Sequence, residues 1–297
     1  MKNWNQYVLS LVMALAVSGC CEMEYYEVPV MPGADEVIEN PTQLKVITHE
    51  ESTETENLNV YLFSEDDGEM KATFESGSVV DVESGTYLVL KIVEHLEELT
   101  ESRILTLPVT SARTASGYVA SAPEVHAGHG YVQLSPNEYH ECEIKVNSYT
   151  RDVKVSASLL GITKADVASV RFELTGVNNE VDLLKDFGDE GGSGSHTLAG
   201  DFPSMQTDAD GNLLGEIVSR LIGLDLENSN HLTIIATLAD GSTQSVTFDV
   251  TKLLSVFYSL ADDECITLNA SLSFGIDGMT GSIEGWTPGW NEDISGN

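Results

Sequence analysis

Apolar positions in this chain recur mostly with a period of two, the spacing of a strand that buries one face. Leu58, Val60 and Leu62 alternate with Asn59, Tyr61 and Phe63. Asp66-Asp67-Gly68 supplies a tight turn, and Met70 to Phe74 returns as the hairpin partner. Ser84-Gly85 turns the chain into Thr86 to Val93, a run rich in apolar and β-branched residues. Gln43 to His49, Val79 to Val82, Ile104 to Val109, Tyr131 to Leu134 and Glu141 to Val146 are shorter strand-like runs. Further on, Val153, Val155, Ala157 and Leu159 share one face, with Lys154, Ser156 and Ser158 on the other. Val167 to Leu174 follows. Leu232, Ile234, Ala236 and Leu238, then Asp240-Gly241, then Val246, Phe248 and Val250 make a second hairpin. Cys265 to Phe274 is the last long strand.

Helical periodicity is scarce. Glu94 to Glu101 and Thr251 to Tyr258 each allow a short helical stretch, and Leu213 to Leu224 fits either strand or helix. Residues 111–130, rich in Ser, Ala, Gly and His, and Gly191 to Ser195 read as loops. Short strands with recurrent turn signals predict an all-β fold of two tandem antiparallel β-sandwiches. The expected limits are 43–149 and 150–276, with a crossover at Asn147-Ser148-Tyr149-Thr150 and a Gly- and Trp-containing tail at 277–297.

The start of the chain has a different pattern. An apolar run from Tyr7 to Val17 follows Met1-Lys2 and is too short to span a bilayer, which takes about 20 apolar residues. It ends at Val17-Ser18-Gly19-Cys20, without the Ala-x-Ala pattern of an ordinary cleaved signal. A hydrophobic residue and two small ones before a cysteine resemble the bacterial lipobox. Residues 1–19 are therefore expected to be a signal peptide, with Cys20 the lipidated first residue of the mature chain. Cys21 is the weaker acceptor, because Ser18 would then hold the hydrophobic position. Each buried methylene of an acyl chain contributes about 0.8 kcal/mol, so two or more chains anchor stably. Residues 20–42 form an acidic tether punctuated by Pro29, Pro32, Gly33 and Pro41.

Charge narrows the partners. With 14 Lys and Arg against 48 Asp and Glu, the formal net charge is −34, which repels phosphate backbones and argues against nucleic acid. The same charge opposes docking on anionic lipid through the protein surface, so the expected membrane contact is the lipid itself. Beyond Cys20 and Cys21 only Cys142 and Cys265 remain, and their placement in separate predicted units favours free thiols.

Candidate chemistry is thin. Asp208-Ala209-Asp210-Gly211-Asn212 starts like a calcium loop, but its glycine comes at the fourth place and Ser219 stands at the twelfth, so an Asp-rich turn is expected. His126 and His129 are near in sequence but lack further ligands at zinc spacing. Trp286 and Trp290 suit stacking on sugar rings, packing at the end of a sandwich, or packing into a neighbouring subunit. No nucleophile elbow, HExxH or phosphate loop occurs, so no catalytic residue, metal or cofactor is assigned and no enzyme is expected.

Several stretches together resemble the fimbrillin-like lipoproteins of Bacteroidales, which include type V fimbrial subunits and their anchors. They are the lipobox, Asn57 to Phe63 with its Asp-Gly turn, Ser84-Gly85-Thr86-Tyr87, and the crossover around Ile144, Arg151 and Val153-Lys154-Val155. Ala239-Asp240-Gly241-Ser242 with Thr247-Phe248-Asp249-Val250, ahead of a terminal strand and a Trp, completes the set. The resemblance implies two transthyretin-like domains on the outer membrane, at the cell surface, with other fimbrial subunits joined by β-strand addition. Polymerising members of that group are trimmed after a basic residue behind the first strand. Here no Lys or Arg lies between Val46 and Asp67, which favours a fimbrial anchor or minor subunit that keeps its first strand. The alternative is a surface glycan-binding lipoprotein using Trp286 and Trp290.

The lipid assignment predicts that cells fed a palmitate analogue label the wild-type protein. Cys20→Ser is expected to lose both the label and sedimentation with membranes; a Cys20→Ser form that still pellets would reject the assignment.

Overall fold

The computed structural model describes residues 41–50, 52, 58–93, 104–110, 118–188, 196–275, 278–287 and 290–296. The predicted signal peptide, Cys20, most of the tether, the segment Glu94 to Glu101 and the loop Gly191 to Ser195 lie outside them. In chain order the strands begin with β1 (Gln43–Thr48), β2 (Leu58–Ser64), β3 (Met70–Glu75), β4 (Val79–Asp81) and β5 (Gly85–Val93). Next come β6 (Ile104–Thr106), β7 (Val109–Thr110), β8 (Tyr118–Val119), β9 (His126–Leu134), β10 (Tyr139–Ile144) and β11 (Asn147–Ser148). The second half holds β12 (Arg151–Leu160), β13 (Val167–Val177), β14 (Glu180–Asp182), β15 (His196–Asp201), β16 (Gln206–Thr207) and β17 (Leu213–Leu221). It ends with β18 (His231–Leu238), β19 (Thr243–Asp249), helix α1 (Thr251–Leu254), a 3-10 turn at Phe257–Ser259, β20 (Cys265–Gly275), β21 (Gly278–Thr287) and β22 (Trp290–Gly296).

These strands form two pairs of larger sheets. Sheet I has the order β10-β1-β4, and sheet II β11-β9-β5-β2-β3. Between them lie Leu44, Val46, Val60, Leu62, Tyr87, Val89, Leu134 and Ile144. Sheet III runs β16-β17-β12-β20-β21-β22, and sheet IV β19-β18-β13-β15-β8-β7. Their shared core contains the alternating residues expected from sequence, Val153, Val155, Ala157 and Leu159, against Phe172, Ile234 and Phe248. The Leu213–Leu221 segment resolves as a strand because its partner β12 offers nine paired positions, more than a short helix could satisfy.

A third core joins the two sandwiches. Phe63, Leu90 and Ile92 on the far face of sheet II meet Leu105, Leu107, Val125, Tyr149, Val181, Leu183 and Ile222. Sheet II is thus covered on both faces, which explains the near-continuous apolar run in β5. Strands also cross the junction. β7 and β8 extend sheet IV, and β6 pairs with β14 from the second half. Both sandwiches and the junction belong to one unit, Asn40–Asn297.

Two segments differ from the expectation. His126 to Gly130, read as loop, is the first half of β9. Its glycines permit close backbone approach: a Cβ at Gly128 would sit 2.0 Å from the Lys145 carbonyl oxygen, and one at Gly130 2.6 Å from Ile144 Cδ1. The segment 277–297, read as a tail, is largely the hairpin β21–β22 at the edge of sheet III. Gly281 has the same cause, since a Cβ there would meet the Ser271 carbonyl at 2.6 Å. At these three positions glycine admits a neighbouring strand rather than ending one. The short strands β14 and β15 carried too little alternation to be anticipated.

The crossover is fixed by Arg151, which is 6% exposed. Its Nη1 donates to the carbonyls of Ser148 (3.0 Å) and Thr150 (2.8 Å), and its Nε to Leu260 (3.2 Å). Nη2 lies 2.8 Å from Asp262 Oδ1, while Asp262 Oδ2 accepts from the Ser148 amide at 3.1 Å. The guanidinium also stacks 4.5 Å from the centroid of Phe187. Arg151→Met is expected to destabilise the protein by about 3–5 kcal/mol in urea unfolding, because the Ser148 and Leu260 carbonyls lose the guanidinium, the Thr150 carbonyl is left with Ser148 Oγ alone, and Asp262 loses its cation. Arg151→Lys should recover only part of that, since an ammonium cannot reproduce the planar fork. A loss below about 1 kcal/mol in either variant would contradict this assignment.

Candidate functional site

The first strand occupies the middle of sheet I. It runs parallel to β10 over six register pairs, from Gln43↔Tyr139 to Thr48↔Ile144, and antiparallel to β4 over three. The flanking backbone extends the ladder, with the Gln43 amide on Glu138 O (2.9 Å), the Gly77 amide on Val46 O (2.8 Å) and the Val82 amide on Thr42 O (3.0 Å). Leu44 and Val46 are fully buried between sheets I and II, whereas Lys45 points outward and pairs with Glu141 at 3.5 Å. Alternation in this strand therefore sets a two-residue apolar plug on one face and Gln43, Lys45 and Ile47 on the other.

One lysine closes this seat from the opposite sheet. Lys91 lies inside the strand run of β5, is fully buried, and donates from Nζ to Thr48 Oγ1 at 2.6 Å. It bridges sheet II to the end of β1. Burial pulls its pKa down to about 8, opposed by the nearby Cys142 thiol. Burial likewise pushes the Cys142 thiol up. Sequence reading passed over Lys91, although a single lysine within Leu88-Val89-Leu90-Lys91-Ile92-Val93 was the available signal.

Sheet edges offer the other functional feature. An edge strand presents unpaired amides and carbonyls to any extended chain. Among the described residues, β3, β4, β10, β11, β16, β22, β19 and β7 are each bonded on one side only. The β3 edge is blunted: its register shifts opposite Leu62/Phe63, and Lys71 Nζ is held by Asp67 (2.6 Å) and Glu69 (3.0 Å). β10 and β19 are long edges of six and seven residues. Neither carries proline, and their outward positions are Tyr139, Glu141 and Glu143 on one and Thr243, Ser245, Thr247 and Asp249 on the other.

The residues singled out from sequence do not converge. His126 lies 3.0 Å from Glu124, while His129 meets the Tyr149 hydroxyl at 3.3 Å. The two positions have an odd separation along β9 and so belong to opposite faces. Among the described residues no group of three ligating side chains could hold a metal ion. Asp208 forms the expected turn: its Oδ1 accepts from the Asp210 (2.9 Å) and Asn212 (2.8 Å) amides, and its Oδ2 from the Asn212 side chain. The Asn212 side chain, then these amides, hold its carboxyl below the usual range. Cys142 and Cys265 are free thiols. In the backbone of the last hairpin Trp286 pairs with Asn291 and Thr287 with Trp290, so the two Trp positions occupy adjacent rows.

No family profile and no curated relative matches the sequence. Solved structures do. A candidate adhesin from Bacteroides thetaiotaomicron superposes with a TM-score of 0.53 at 12% identity, covering 87% of this chain and 100% of that one. A second candidate adhesin, from Bacteroides ovatus, gives 0.54 at 12% identity over 86% and 95%. The fimbrial anchor protein Mfa2 from Porphyromonas gingivalis gives 0.50 at 13% identity over 84% and 98%. At these identities the likeness is one of fold, and it is the fold anticipated for a fimbrillin-like chain.

The buried lysine predicts a pH signature. Its folded pKa of about 8 lies below the unfolded value of ~10.4, so the unfolded chain binds the extra proton between those values and stability rises with pH across that window. The gain in wild type relative to Lys91→Met is expected to be on the order of 3 kcal/mol. A difference between the two proteins that stays flat from pH 7.5 to about 10.5 would refute it.

Proposed function

We propose that this protein is a lipid-anchored cell-surface protein that serves as a fimbrial anchor or minor fimbrial subunit. The observation that carries the reading is the seat of the first strand: β1 is hydrogen-bonded on both sides, its apolar face is buried, and no Lys or Arg follows before Asp67. A chain that retains this strand keeps its own sandwich complete and leaves no vacant slot for a neighbour's strand. Likeness in fold to candidate adhesins and to a fimbrial anchor supports a role in surface adhesion.

Partner subunits dock by strand addition at an open rim, with β10, β19 and β22 as the long candidates. Main-chain hydrogen bonds there supply affinity, and alternate side chains supply selectivity. The acyl chains on Cys20 hold the assembly at the outer membrane, since a surface of net charge −34 has no affinity for anionic lipid.

Immunoprecipitation of the tagged protein from membrane extracts is expected to recover fimbrial subunits. Deleting the gene should shorten fimbriae or shed them into the medium. Fimbriae of normal length and retention on the deletion strain would overturn the reading.

A further inference from the structure

The outer face of sheet III carries a pattern of its own. Register places Gln206, Leu214, Ser158, Ser271 and Ser282 in one row across five strands. Glu216, Ser156, Asn269 and Glu284 form the next row. Large side chains are missing from the centre of both rows, and a groove of about 570 Å³ opens there. Its floor is Ser156, Ser158 and Asn269; Ser204 and Gln206 form one wall. That wall stands close because position 215 is glycine: a Cβ there would lie 2.4 Å from Met205 Sδ.

We propose that this groove binds an uncharged polysaccharide chain. Among the described residues the side chains of Ser156, Ser158, Ser204, Gln206 and Asn269 make no hydrogen bond with protein, so hydroxyls and amides that both donate and accept line the groove unused. Vicinal sugar hydroxyls present the same mixture of donors and acceptors. The one carboxylate in the lining, Glu216, is held by Lys154 at 2.6 Å, which leaves the floor close to neutral. The net charge of −34 repels an anionic chain and equally a second copy of this protein. Leu214, 41% exposed, adds an apolar patch for the C–H face of a ring. At about 4.8 Å per strand, the five-strand row extends about 19 Å, which suits an extended chain rather than a single small molecule. Trp286 pairs with Thr267, so its position falls in the row that adjoins Asn269.

The test is calorimetric titration of the full chain, in a detergent without a sugar headgroup. The probes are neutral linear hexasaccharides (a β-glucan, a β-mannan and a xylan series), with a polyuronate of equal length as the anionic control. At least one neutral series is expected to bind and the polyuronate not to. Gln206→Ala with Asn269→Ala should weaken binding at least tenfold without changing Tm, and Ser158→Tyr should abolish it by filling the floor. Failure of every neutral probe, equal binding of the polyuronate, or wild-type affinity in the double variant would each overturn the proposal. So would self-association through this face that Ser158→Tyr disrupts. These results leave fimbrial length and retention untouched, so the two readings stand or fall separately.

Discussion

A single buried guanidinium sets the relation between the two halves of this protein. Arg151 opens β12 and reaches back to the carbonyls of Ser148 and Thr150 and across to Leu260 and Asp262. Placing a permanent cation there is tolerable only because each polar group around it is satisfied. Burial draws its pKa down, and Asp262 opposes that shift. The crossover turn, the loop before β20 and the Phe187 ring are therefore held together by one side chain, and the junction core forms around them.

The rest of the architecture follows from that joint. With the halves fixed, sheet II is enclosed on both faces and contributes to two cores. The strands between 104 and 119 can then leave the first sandwich and complete the second, which makes the junction a shared core rather than a flexible linker. What remains at the surface is a set of sheet rims and the outer faces of sheets I, III and IV. Beneath those surfaces the interior is hydrophobic packing interrupted by the buried Arg151 and Lys91 and by a few buried neutral polar side chains such as Asn178 and Asn230.

Charge and shape divide the surface further. The row outside sheet I alternates Lys45 with Glu141 and Glu143 and borders the long β10 rim. The face of sheet III is instead short-chained and close to neutral in an otherwise strongly acidic protein. The two proposed means of recognition differ physically, backbone hydrogen bonding at a rim and side-chain hydrogen bonding over a face; the β10 rim lies on the first sandwich, the β19 rim and the groove on the second.

Local pattern was enough for much of this. Alternation in Leu58–Leu62, Val153–Leu159 and Leu232–Leu238 names the strands and their buried faces, because a period of two leaves only one way to hide the apolar set. The Asp208 turn was also legible, since its hydrogen bonds are local. Other features depend on residues distant in sequence. Gly128, Gly130 and Gly281 become strand positions only once a neighbouring backbone lies against them. Lys91 becomes a bridge only when Thr48 is brought to it across the sandwich. The Ser156–Asn269 groove exists only where three strands align, and the open rims are defined by which strand lacks a neighbour. Sequence determined the kind of element and its inward face; tertiary structure decided the neighbours, because burial is written in each strand's own periodicity while pairing depends on contacts between segments that periodicity does not encode.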